Sequence, residues 1–121
     1  MNLYLVLLSS FLSFFTPPES KVEWISPMEY DFGDIEYRKP VRIDFKYKNV
    51  SAEPVVIDNI RAGCGCTAPE WAEVPVEPDS TGMLTLEYDA RKTGYFRVAV
   101  RVFFSGQRRS EKLYIEGYVM E

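Results

Sequence analysis

From residue 41 to residue 48 the sequence alternates without a fault. Val41, Ile43, Phe45 and Tyr47 are interleaved with Arg42, Asp44, Lys46 and Lys48. Side chains of an extended strand point to opposite faces with a period of two, so this stretch is a strand with one dry and one wet face. That pattern belongs to an antiparallel sheet covered on one side. A slip of one residue would carry all the charges of this stretch into the core, so its register is strongly specified.

Further strands follow from the same rule. Residues 22–25 form a first short one. In residues 28–35, Tyr30 and Phe32 alternate against Glu29 and Asp31, and Gly33 marks a bulge or turn. Residues 55–60 form another. In 83–88, Leu84, Leu86 and Tyr88 share a face. In 95–104, Phe96, Val98, Val100, Val102 and Phe104 share one side and Tyr95, Arg97, Ala99, Arg101 and Phe103 the other. Residues 112–119 close the chain with Leu113, Ile115 and Val119 facing in.

Turn signals separate these runs at 37–40, 49–54, 89–94 and 105–110, and residues 70–81 read as a long, acidic, proline-bearing connection. The Asn49-Val50-Ser51 triplet within one turn is expected to be a plain turn asparagine and not a glycan acceptor. No helical period competes after the first residues. A chain of 121 residues holds one small domain. The expectation is all-β: an immunoglobulin-like β-sandwich of about seven antiparallel strands, with a small barrel as the alternative.

The start of the chain differs. Residues 3–15 are uncharged and built of Leu, Val, Phe, Tyr and Ser. As a helix they would span roughly 20 Å, short of the ~30 Å hydrocarbon core. Thr16-Pro17-Pro18 then breaks the run. Residues 1–20 are therefore expected to be a signal peptide or N-terminal hydrophobic leader, and residues 21–121 the sandwich domain. No Lys or Arg precedes the apolar run and no small-residue cleavage motif stands out, so a hydrophobic N-terminal strand or uncleaved anchor is the competing reading. Export to the periplasm or the exterior is expected, with membrane attachment only through a retained leader.

The net charge of −4 argues against a surface that tracks nucleic-acid phosphates. The absence of histidine removes Ser-His-Asp and Cys-His catalysis and most zinc sites, and no phosphate-cradling or calcium-loop motif is present. An enzyme is not expected.

The only cysteines, Cys64 and Cys66, flank Gly65 and follow Gly63. Three readings stay open. An internal disulfide is one: Cα atoms at this spacing lie about 5.5–7 Å apart, the upper end of the accepted range, and Gly65 would let the backbone pinch in. A loop that short contributes at most about 1.6 kcal/mol by chain entropy, so redox exchange or local rigidity would be its purpose. The second is a pair of thiolates gripping Cu(I), with Met28, Met83 or Met120 as candidate helpers. The third is plain packing where a strand turns a corner.

A candidate binding face for a protein or glycan partner is aromatic and basic. It comprises Tyr95, Arg97, Arg101 and Phe103 on one strand, and Tyr114 and Tyr118 on the last. Bends or edge packing that bury some of these rings are the alternative.

Gly63-Cys64-Gly65-Cys66-Thr67, then Pro69-Glu70-Trp71 and Pro78, resemble the signature of an uncharacterised bacterial family of small exported domains. The segments 30–35 (YDFGDI), 92–96 (KTGYF) and 113–119 (LYIEGYV) match as well, so the resemblance covers roughly residues 28–119. It implies a sandwich similar to the major sperm protein-like and Hydin-type immunoglobulin-like domains. Gly63, Gly65, Thr67 and Trp71 support the motif around the cysteine pair, but the resemblance assigns the pair no activity. Two departures fall in turns. Asp79 stands where the family usually has glycine, and Ser105-Gly106 stands for a usual Ser-Asn. The reading is a non-enzymatic exported module that makes protein or envelope contacts. The alternative is a thiol protein using Cys64 and Cys66 for redox exchange or Cu(I) binding.

Overall fold

A computed structural model of the chain describes residues 20–121; the expected leader lies outside the described residues except for Ser20. The strands are β1 (Val22–Trp24), β2 (Glu29–Glu36), β3 (Val41–Asn49), β4 (Ile57–Ala62), β5 (Thr67–Trp71), β6 (Thr81–Tyr88), β7 (Gly94–Phe104) and β8 (Glu111–Met120). They form two four-stranded sheets, ordered β1-β3-β6-β5 and β2-β8-β7-β4. The two layers make an immunoglobulin-like sandwich.

Two expectations need correction. Among the described residues there are eight strands where about seven were expected, because the end of the cysteine stretch and the first two residues of the supposed 70–81 connection form β5, whose residues Thr67–Trp71 pair with β6. Nor is every pairing antiparallel. β2 runs parallel to β8, joining the beginning of the domain to its end. The Gly33 irregularity is a bulge, at φ 73°, between the paired residues Asp31 and Asp34.

The alternation produces the core directly. Phe45, Leu84, Leu86, Val100, Val102, Phe104, Leu113, Ile115 and Val119 are all buried. Each such side chain contributes about 1.5–3 kcal/mol by leaving water. Two glycines are required by close approach. A Cβ at Gly82 would lie 2.5 Å from the Tyr47 ring, and one at Gly117 would lie 2.9 Å from the Phe96 ring. Each glycine is the cross-strand partner of the ring that covers it. Phe96 in turn stacks on Tyr88 across the sandwich, with ring centroids 3.8 Å apart.

The tryptophans tie the sheets together along their sides. Trp24 Nε1 donates to Glu111 Oε1 (3.1 Å), and Trp71 Nε1 donates to the Ile57 carbonyl (3.1 Å). Asn49 is not a plain turn residue. It is fully buried, and its Nδ2 donates to the carbonyls of Glu53 (2.7 Å) and Val76 (2.8 Å). That nitrogen has no room for a glycan. The two departures from the family pattern share one cause: Asp79 and Gly106 have φ of 68° and 72°. Glycine, asparagine and aspartate are the residues that enter this left-handed region most readily.

Candidate functional site

The Cys64–Cys66 stretch is the corner where the chain leaves one sheet for the other. β4 ends its pairing with β7 at Ala62↔Val100, and β5 begins its pairing with β6 at Thr67↔Tyr88. The turn between is pinned at both ends. Gly63 N donates to the Ala99 carbonyl (2.9 Å), and Asp89 N donates to the Cys66 carbonyl (3.0 Å).

Cys64 and Cys66 are joined as a disulfide, with Cα atoms 5.3 Å apart, inside the usual range. Both are half-buried against the edge of the core. The backbone demand for glycine falls on Gly63, where a Cβ would stand 3.1 Å from the Ala99 carbonyl oxygen. Gly65, expected to be the pinch point, has nothing within 4 Å of such a Cβ. Thr67 is buried and its hydroxyl lies 3.9 Å from Cys66 Sγ. Trp71 braces the sandwich and does not reach the disulfide turn through any hydrogen bond.

An open groove of about 310 Å³ runs beside the disulfide, with Lys92, Tyr95 and Arg97 on its rim and Tyr88 and Phe96 among its lining. Met28, Met83 and Met120 do not line it. Among the described residues no three His, Cys, Asp or Glu side chains gather as a metal site.

The expected binding face is brought together. Tyr95, Arg97, Arg101 and Phe103 project from β7 on the side opposite its buried row, and Tyr114 and Tyr118 project the same way from β8. The register places Tyr95 opposite Tyr118, Arg97 opposite Glu116, Ala99 opposite Tyr114 and Arg101 opposite Lys112. Tyr95 and Tyr118 are 66% and 51% exposed, so strand bends do not bury them. Phe103 and Tyr114 are half-buried.

This face has two electrical halves. At one end Arg97 bonds Glu116 (3.0 Å), reaches Glu29 (3.5 Å) and lies 4.3 Å from the Tyr114 ring centroid. Tyr95 donates its hydroxyl to Glu116 Oε1 (2.9 Å). The hydrogen bond to Glu116 raises the pKa of the Arg97 guanidinium and of the Tyr95 phenol. This half is self-neutralised. At the other end Arg61 of β4 lies opposite Arg101, and Arg101 lies opposite Lys112. Arg61 and Lys112 cannot be singled out by alternation alone, because they join Arg101 only through register.

The two packed four-stranded sheets make an immunoglobulin-like sandwich that resembles MSP and PapD-like domains. A family model described as protein of unknown function, DUF1573, matches residues 24–119, and the chain belongs to that family. No curated protein sequence matches it.

Among solved structures, the ASH/PapD-like domain of human CEP192 superposes with a TM-score of 0.70 at 12% identity, covering 100% of this chain and 97% of that one. A protein of unknown function from Porphyromonas gingivalis W83 gives 0.68 at 12% identity over 80% of this chain. The chain spans about half of that bacterial protein's length, 46%. The Caenorhabditis elegans MSP family member WR4 gives 0.54 at 4% identity, covering 84% of this chain and 99% of that one. At such identities these likenesses show the fold alone.

Proposed function

We propose that this domain is an exported, non-enzymatic binding module that contacts a protein or envelope partner through the outer face of the β2-β8-β7-β4 sheet. The observation that carries the reading is the alignment of Tyr95, Arg97, Arg101, Phe103, Tyr114 and Tyr118 on one side of two paired strands. Solvent-facing tyrosine and arginine supply rigid contact area and directional donors, the mixture enriched in interfaces. Export is supported by the uncharged run at residues 3–15. The disulfide favours a second reading, thiol exchange, because Cys64 and Cys66 both border an open groove.

The test is binding of the purified chain to envelope fractions of the cells that make it, compared with a Tyr95→Ala/Tyr118→Ala variant. These residues are exposed, so the variant folds, and binding is expected to fall at least about tenfold, the equivalent of ~1.4 kcal/mol. Undiminished binding by the variant would refute the assignment of this face.

A further inference from the structure

Arg61, Arg101 and Lys112 form one row across three neighbouring strands, β4, β7 and β8. All three are exposed. Among the described residues none of them makes a salt bridge. Like charges directly opposite each other destabilise a sheet, so the chain carries a cost here that local folding does not require.

The chain does not lack acids, since it has 18 Asp and Glu against 14 Lys and Arg. Most are placed elsewhere; Asp58 stands on β4 at the irregularity between Ile57 and Asn59, three residues before Arg61. Glu29, Asp31, Asp34 and Glu36 lie on β2, which first pairs with β8 at Tyr114, beyond Lys112. Glu111, next to Lys112, is engaged by Trp24, Ser20 and Gln107. The acid-bearing strand therefore neutralises one half of the face and stops short of the other.

We propose that the Arg61–Arg101–Lys112 row binds a linear anionic polysaccharide laid across the strands. This rests on the reading of the sheet's outer face as a contact surface and names its ligand. Strands lie ~4.8 Å apart, so the cations present a track about 10 Å long. The track is flat and open, which suits a polymer lying across it. It is flanked by two half-buried rings: Phe103, with the Arg61 guanidinium 6.0 Å from its centroid, and Tyr114. Phe103 offers an apolar platform to the C–H face of a sugar, while Tyr114 is already covered on one side by Arg97, and the arginines offer paired donors to carboxylates or sulfates.

The test uses polygalacturonate as probe with the purified chain. Neutral dextran, polyglutamate and phosphatidylglycerol vesicles serve as comparisons. The expected result is binding to polygalacturonate that weakens with salt, with no binding to dextran. Arg61→Gln/Arg101→Gln/Lys112→Gln is expected to lose at least about tenfold in affinity. A charge-matched variant on other surfaces, Lys46→Gln/Lys48→Gln/Arg91→Gln, is expected to keep it.

Arg101→Gln alone relieves both like-charge contacts, so its melting temperature is expected to equal or exceed that of the parent while binding falls. Equal loss in the charge-matched variant would mean net charge alone is read and would overturn the proposal. Preference for vesicles or polyglutamate over polygalacturonate would overturn it in favour of a membrane or an acidic protein. If the row variant fails to matter but Tyr95→Ala/Tyr118→Ala still loses envelope binding, only the polysaccharide inference falls.

Discussion

Replacing Asn49 by Asp changes one group of a fully buried side chain that makes four hydrogen bonds. The Asn49 Oδ1 accepts from Ser51 N (2.8 Å) and Ser51 Oγ (2.7 Å), while Nδ2 donates to the carbonyls of Glu53 and Val76. A carboxylate keeps the Ser51 donors but turns an oxygen toward two carbonyl oxygens. Two hydrogen bonds are lost, at about 1 kcal/mol each, and a charge is buried with no cation against it. Asn49 is 0% exposed, so water cannot relieve the charge, and the total loss at neutral pH is about 3–5 kcal/mol.

The protonated acid can donate to one of the carbonyls, which cuts the loss to about 1–2 kcal/mol. Burial and the facing carbonyls raise the new carboxyl's pKa in the folded state above its unfolded value of about 3.9. The variant's stability relative to the parent is therefore greatest below about pH 4 and falls as pH rises through the folded pKa. Urea unfolding of both proteins across acidic to neutral pH measures this. A difference that stays constant with pH, or a neutral-pH loss under about 1 kcal/mol, would refute the account of Asn49 as a buried double donor.

Other outcomes follow from the core. Gly82→Ala puts a methyl 2.5 Å from the Tyr47 ring, which is only 3% exposed and cannot swing out. Overpacking costs about 1–3 kcal/mol and the stiffer unfolded chain returns up to about 1, so a net loss of about 1–2 kcal/mol is expected in a denaturant melt. An unchanged or raised midpoint would show that the ring does not need the glycine. Burial raises the Tyr47 phenol above its ordinary pKa, and burial together with Asp89 does the same for Tyr88. Both contribute stability present below about pH 10 and lost as pH rises through the folded values. Tyr47→Phe should therefore make the alkaline fall in stability shallower; an identical slope would contradict the burial argument.

Much of the fold was legible because alternation is local. Val41 to Lys48, and the buried row from Phe96 to Phe104, announce their inner faces without knowledge of any partner. The outward positions of Tyr95, Arg97, Arg101, Phe103, Tyr114 and Tyr118 follow from the same period. The position of the cysteines at a strand end was also legible, though not the division of labour between Gly63 and Gly65. That division depends on how closely Ala99 of another strand approaches.

Pairing partners and register lay beyond the linear pattern, since a strand's own sequence does not say which edge it meets. β5 was hidden because Thr67-Ala68-Pro69-Glu70-Trp71 carries a proline and little hydrophobic contrast, and pairing with β6 makes it a strand. The parallel contact of β2 with β8 joins segments at opposite ends of the domain. Asn49 looked like a turn residue because nothing near it in sequence reveals that Val76 closes over it. Along β3, β6, β7 and β8 the sequence by itself determined which residues face inward, through the two-residue repeat of an extended chain. Only the tertiary structure decided which outward residues stand side by side, and so turned Arg61, Arg101 and Lys112 from separate charges into one row.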